Sequence, residues 1–418
     1  MRMERKRGTH LRSVRDWIGG IILGGVLVGF VLTAMAADVT SPEYQGPFSG
    51  QALWLMRQTR AIIETYQVDG ESKPVEEEKL VYGAIKGMVN AVGDPYTRFV
   101  NPTELKEEEI EITGEYGGLG MYVGQRDGRT LVISPIEDTP ADKAGLKPQD
   151  QIIRIGDEVI LGWDSQQVVK KLRGKPGTPV TIWVRRGSEE ELRKFDLVRE
   201  NIKIKSVRSE VMDKTIGYVK VSHFNQKTTE ELKAALDDVL KGGAKGFILD
   251  LRNNGGGLLN SAVEICDMFL DDTLIVGMRG RIERANDEIY ATPGKVPDLP
   301  MVVLINEGSA SASEIVAGAL MDTDRALSVG KKSFGKGSVQ TLFRLTDGSG
   351  VYVTIARYYT PAGTVIDHVG LEPDVIVEGE VTKETEKDTQ LKKAKEELKA
   401  AMSGKTRPRS VEKGEEGA

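Results

Sequence analysis

Between Ile202 and about Val377 the chain alternates short apolar runs with helical patterns. Strand-like runs fall at Ile216–Val221, Phe247–Leu251, Met301–Ile305 and Val351–Tyr358, and helical patterns at Thr228–Leu240, Leu258–Leu270 and Ser311–Met321. A chain that keeps switching between the two periods cannot be a bundle or an all-β sandwich, so it predicts a mixed sheet with helices on its faces. Two of the runs lead into unusual polar segments. GFILDL ends in RNNGGG, and MVVLI leads into NEGSASASEI, Asn306–Ile315. A third segment, SFGKGSVQ from Ser333 to Gln340, places Lys336 between two glycines.

A serine becomes a nucleophile only when a nearby base takes its proton. The chain has three histidines, His10, His223 and His368, none of them in a recognisable triad context. A lysine serves instead when burial and low dielectric bring its pKa toward neutrality. Each segment also has a plainer reading. SASAS alone suits a helix N-terminus, because serine caps helices and alanine packs closely. Gly330 followed by Gly335-Lys336 matches half of a phosphate loop, but residue 337 is glycine where a magnesium-binding Ser or Thr is needed, and a strand-like run follows where a helix is required.

Together SASASEI, FGKGSVQ and DLRNNGGG resemble, in order and spacing, the motifs of the C-terminal processing peptidases, or tail-specific proteases. The resemblance implies that Ser311 is the nucleophile, Lys336 the general base, and Gln340 the residue that orients the lysine, with Ser309 and Ser313 as scaffold. It also implies a crotonase-like peptidase core. On chemical grounds, a strand running into a helix start puts Ser311 where N–H groups point outward, so the Ala312 N–H is a natural oxyanion donor. The second donor is expected in Gly255–Gly257, with Gly257 favoured, although without Ser311 a tight turn with close helix packing would be the better account of three glycines. Glu314 reads either as a group that polarises the site or as ordinary first-turn dipole chemistry. Asn253 and Asn254 read as turn formers, and Arg252 as half of a structural ion pair.

From about Gly114 to Arg199 the pattern changes to short strands with glycine turns. YGGLGMYVG, SPIEDTPADKAGLKPQDQIIRIGDEVI and VVKKLRGKPGTPVTIWVRR resemble, in order, three stretches of a PDZ domain. That module adds an extended peptide to its sheet and receives the terminal carboxylate in a glycine-rich loop. Gly118, Leu119, Gly120 and Met121 occupy that loop by resemblance, and Arg173 is expected to sense peptide or touch the core. Upstream, Gln51–Tyr66 and Val75–Val92 show apolar stripes near the helical period, expected to pack on each other or on a second subunit. ELKEEEIE, Glu104–Glu111, reads as a solvated helix.

The fold class expected is therefore α+β and multidomain. Its parts are a signal or anchor at 1–37, a helical region at 38–112, a PDZ domain at 113–200, a peptidase core at 201–378, and a charged tail at 379–418 with a helical stretch at Asp388–Met402. Met1–Asp16 carries six basic residues against two acids, and Trp17–Ala37 has no charge. That length favours an uncleaved inner-membrane anchor with the enzyme in a bacterial periplasm or envelope, while Ala34-Met35-Ala36 leaves secretion after cleavage open. A net charge of −6 argues against nucleic acid. The lone Cys266 lies in an apolar helical pattern and reads as a core thiol. No metal or cofactor is implied. The partners expected are peptide or protein C-termini, an adaptor and further copies of the chain. Rival readings are a non-catalytic PDZ adaptor on a protease scaffold and a crotonase-like acyl-CoA enzyme.

Overall fold

A computed structural model describes residues 48–404, except 70–73, 75, 127, 164, 295–298, 380 and 383–386. The expected anchor therefore lies outside the described residues. Among those residues no helix is long and apolar enough to cross a membrane. The chain divides into two compact units, Met1–Pro102 with Gln340–Thr354, and Thr103–Val339 with Ile355–Ala418.

In the first unit, α1 (Gly50–Tyr66) and α2 (Glu77–Asn90) precede β1 (Arg98–Val100). Strand β1 pairs antiparallel with Gly350–Tyr352. The Tyr82 ring lies 5.0 Å from Phe99, and its hydroxyl donates to Asp347 at 2.9 Å. Helix α1 has no buried residue and α2 buries only Val89, so Leu53, Trp54, Met56 and Met88 are exposed. The apolar stripes thus remain unburied among the described residues.

The second unit opens with α3 (Pro102–Thr113), which buries Leu105 and leaves Glu104, Glu107 and Glu108 half-buried with Glu109 exposed, so it is less solvated than its acidic sequence suggests. The segment from β2 (Glu115–Gly118) to β9 (Glu200–Lys203) follows, and those two strands pair with each other. Between them β3 (Met121–Arg126), β4 (Arg129–Pro135), β5 (Gln151–Ile155), β6 (Glu158–Val159), β7 (Pro179–Arg185) and β8 (Arg193–Val198) form an antiparallel sheet. Helices α4 (Pro140–Lys143) and α5 (Ser165–Leu172) interrupt its strands. Strand β7 buries Val180, Ile182 and Val184 at every second position, the mark of a sheet with one face on a core. That core includes Leu119, Val132, Ile152, Ile155 and Leu172.

The larger sheet runs β10 (Val207–Met212), β11 (Ile216–Val221), β12 (Gly246–Asp250), β15 (Met301–Ile305), β16 (Leu327–Gly330), β19 (Val375–Ile376). All its pairings are parallel except β10 with β11. Every residue of β12 and β15 is buried, because helices cover both faces, and such strands read as continuous rather than alternating apolar runs. Helices α6 (Thr228–Lys241), α7 (Leu259–Asp267) and α8 (Ala312–Asp322) share one core, while α9 (Thr389–Met402) packs Leu391, Ala394 and Leu398 against the other. Cys266 is fully buried in α7, where burial pushes its thiol pKa up. A second sheet pairs β13 (Leu274–Gly280) with β14 (Asp287–Tyr290) and with Ala356–Tyr359 of β18 (Gly350–Tyr359).

Arg252 follows β12 and is 1% exposed. Its guanidinium donates to both oxygens of Asp250 and, across 136 residues, to Asp388 at 2.8 Å and Gln390 at 3.2 Å. Burial alone would lower its pKa, but the Asp250 and Asp388 carboxylates outweigh burial and hold it above its ordinary value. Asp388 also caps α9, accepting from Leu391 N–H at 2.9 Å. Asp388→Ala removes a cap and half a buried pair together, so a loss of about 3–5 kcal/mol is expected in urea unfolding. A loss below about 1 kcal/mol would mean that the pair contributes nothing.

Candidate active site

Two loops leave the carboxyl ends of the adjacent parallel strands β12 and β15, the edge where α/β sheets place their sites. The first is Leu251–Leu258 and the second Asn306–Ser311. They are laced together. Asn253 N–H donates to Asn306 Oδ1 and Asn306 Nδ2 to Asn253 Oδ1, both at 2.8 Å. Ser309 Oγ donates to Leu251 O at 2.9 Å, and Ser313 Oγ to Asn254 O at 2.8 Å. Asn254 O also accepts from Ala310 N–H, and Asn254 Oδ1 from Gly256 N–H at 2.9 Å. The two flanking serines of SASAS are therefore spent as ties. Asn253 does adopt a turn conformation, at φ 58°, but Asn254 bonds to three segments, a larger role than a turn former's.

Ser311 sits between these ties and α8 with φ 55° and ψ −116°, a conformation that non-glycine residues rarely adopt. Such a residue stores roughly 1–3 kcal/mol of strain and persists only where its surroundings force it. It is half-buried, at the start of a helix whose first ten residues are all buried. The Ala312 N–H has no acceptor among the described residues, and neither has the Gly257 N–H. Gly257 is bridged in parallel fashion to Phe224, with Leu258 N–H donating to Phe224 O at 2.8 Å, and at φ 142° a side chain there would run into that carbonyl. Gly256 is the glycine that touches the serine: a Cβ on it would lie 2.8 Å from Ser311 Cβ and 3.0 Å from Ala312 N. Gly255 faces open space.

Lys336 approaches from the third segment. Its neighbours are fixed by Tyr358 N–H donating to Gly337 O at 2.6 Å and His368 N–H to Gly335 O at 2.9 Å. The bond that brings lysine and serine loops together comes from Glu314, which is completely buried. One oxygen, Oε2, accepts from Ser311 N–H and from Lys336 N–H, each at 2.9 Å. The two main-chain nitrogens are therefore no farther apart than those two bonds laid end to end. The other oxygen accepts from Gly335 N–H at 2.7 Å and from Ser333 Oγ. The bond from Ser311 N–H is the capping-box contact of a first-turn glutamate, in line with one of the two readings that the sequence leaves for Glu314, while the bonds to Ser333, Gly335 and Lys336 go beyond both. Gln340 lies in the other unit, in β17 (Ser338–Arg344), where its amide donates to Thr354 Oγ1 at 3.4 Å.

The PDZ-like sheet carries its own concavity. Leu119, Gly120, Met121, Ile136, Val169 and Leu172 line an apolar groove between β3 and α5. Ala141 N–H and Ile136 N–H donate to the carbonyls of Leu119 and Gly120 at 2.8 Å and fix the loop. Gly118 is buried at the end of β2, and Arg173 lies 4.8 Å over the Tyr116 ring at the groove's edge. Gly120, at φ 76°, is pressed against the Thr139 side chain, so any larger residue there disrupts the domain rather than merely filling the groove.

Two family models match this organisation, peptidase family S41 over residues 215–377 and a PDZ domain over 117–197, and they define a peptidase core carrying a PDZ module. The carboxy-terminal-processing protease of Bartonella bacilliformis is 38% identical over 376 residues, covering 88% of this chain and 83% of that protein. The carboxy-terminal processing protease CtpA of Bacillus subtilis is 37% identical over 304 residues, covering 72% and 65% respectively. Among solved structures, a photosystem II D1 C-terminal processing protease is 31% identical and covers 81% of this chain and 96% of its own, with a TM-score of 0.47. The chain belongs to the carboxy-terminal-processing proteases of peptidase family S41, a family of serine-type peptidases.

Proposed function

We propose that the chain is an exported endopeptidase that cleaves protein substrates near their C-termini with Ser311 as nucleophile and Lys336 as base. The observation that carries this reading is the single Glu314 oxygen that bonds the main chains of both residues. In the proposed reaction the neutral Lys336 amine takes the Ser311 proton as Oγ attacks the scissile carbonyl. The Ala312 and Gly257 N–H groups receive the oxyanion, and neither has another acceptor among the described residues. Lys336 then gives the proton to the leaving amine; in the second half the same lysine takes a proton from water as it attacks the acyl carbon and returns it to Ser311 Oγ as that bond breaks, which frees the acid and the enzyme. Gln340 keeps the orienting role that family resemblance implies. Ser311→Ala should accumulate uncleaved substrates on the enzyme, and their recovery from the cell envelope tests the substrate class.

The basic stretch Met1–Asp16 followed by the uncharged Trp17–Ala37 supports export to a periplasm or envelope with tethering through the uncharged segment. The exposed Leu53, Trp54 and Met56 of α1 support a homo-oligomer or an adaptor contact.

The PDZ groove is proposed to admit substrate C-termini and to gate the protease. Binding shifts a resting form only by its differential affinity for the two states. Val169→Glu places a charge in the groove without disturbing Gly120. The KM for substrates with free apolar C-termini should then rise roughly tenfold or more, while amidated peptides are unaffected. Removal of Gly114–Arg199 separates two kinds of gate: lost cleavage marks an activating domain and unregulated cleavage an inhibiting one. A folded deletion variant that cleaves tailed and amidated peptides at the intact enzyme's rates would sink the idea.

A further inference from the structure

We infer that Glu314 is a positioning residue that sets the separation of Ser311 and Lys336 by gripping their main chains, a role that presupposes the serine–lysine reading above. An ionised carboxylate has about four acceptor sites. All four are taken here: two by the Ser311 and Lys336 N–H groups on Oε2, and two by the Gly335 N–H and the Ser333 hydroxyl on Oε1. Nothing is left with which to address a substrate or polarise a carbonyl. The four donors neutralise the cost of burying a charge that is 0% exposed. Three of them come from one short segment, Ser333–Lys336, and the fourth from the nucleophile itself. The carboxylate is thus the fastener between two loops that the fold would otherwise only bring near each other.

The second segment is held in turn. Ser333 Oγ accepts from Leu371 N–H at 2.7 Å, and Ser333 N–H donates to Leu371 O at 3.0 Å. The clamp therefore joins three chain segments and fixes the Lys336 main chain relative to that of Ser311. A shift of about 1 Å in such a group costs on the order of a hundredfold in rate.

Glu314→Gln tests this with almost no change of volume. An amide accepts at one end only, so in either orientation its NH2 faces two donors and pushes one loop away. The expected result is a fall in kcat of about 10²–10³-fold with KM within about threefold. The rate constant for fluorophosphonate labelling of Ser311, normalised by active-site titration, should fall in parallel. A merely structural glutamate would lower the melting temperature and the active fraction, not that rate constant. Ser333→Ala removes one donor and should cost about three- to tenfold in kcat, and in the Glu314→Gln background it should cost nothing further, since both act through one clamp.

Glu314→Gln labelling and turning over within threefold of the parent would overturn the role, as would full additivity of the two substitutions. Should Glu314→Gln fail to fold, Ser333→Ala decides alone: unchanged kcat and labelling overturn it. Lys336→Ala, run alongside, separates the two layers. If that variant is active, the serine–lysine reading falls; if it is dead while Glu314→Gln is normal, only the positioning role falls.

Discussion

Lys336→Ala should abolish proteolysis while leaving the fold intact. The polar groups placed around Ser311 are already engaged: Ser309 and Ser313 are spent on Leu251 O and Asn254 O, and the Glu314 carboxylate is filled by four donors. His368 reaches the lysine loop only through its main chain, and its ring points to Asp367, with Nε2 3.7 Å from Oδ2. Without Lys336 the Ser311 hydroxyl keeps its proton, and turnover should drop by about 10⁴–10⁶-fold, the size of effect seen when a nucleophile and its base are uncoupled. Peptide cleavage and fluorophosphonate labelling measure the loss. A melting temperature close to the parent's shows that the fold survives. Turnover within tenfold of the parent would refute the mechanism. Lys336→His is not expected to restore it, because a shorter planar base needs another position relative to Ser311.

The second large effect is expected at Gly256. Its Cβ would come within 2.8 Å of both Ala310 O and Ser311 Cβ, and its φ of 101° disfavours any side chain. Gly256→Ala must therefore push the strained Ser311 turn and the Ala312 N–H away from the substrate carbonyl. A kcat loss of about 10²–10³-fold is expected, comparable to removing an oxyanion donor. Backbone strain should add a stability loss of roughly 1–3 kcal/mol. Gly255→Ala, at the adjacent residue but in open space, is the matched control and should turn over like the parent. Equal kcat values for the two variants would mean that the loop is only a tight turn. Gly257 is a poorer test, because any side chain there collides with the Phe224 carbonyl and disturbs the bridge whatever the N–H does.

Much of the architecture was legible in the residues. The strands β11, β12 and β15 and the helices α6, α7 and α8 fall where apolar runs and periodicity place them, since a continuously apolar run of five and an amphipathic run of fourteen can bury their surfaces in few other ways. The tail helix also lies at its expected place, beginning at Thr389 with Asp388 as its cap. The two N-terminal helices form as their stripes suggest, but the stripes find no partner among the described residues, because amphipathicity says that a face needs covering and not what covers it.

Sequence by itself determined the local states: Ser311 at a strand-to-helix turn, a glycine loop after β12, and a PDZ-like run of short strands upstream. Those features depend on neighbours within about one turn or one hairpin, so the code for them is contiguous. Tertiary structure decided what the polar groups do. Glu314 takes three of its donors from residues 19 to 22 positions away, and Arg252 finds Asp388 at a separation of 136. Which of three identical glycines touches Ser311 depends on how the β12 and β15 loops cross. A buried charge must be satisfied by whatever the fold brings within about 3 Å of it. Periodicity along the chain carries no record of that distance.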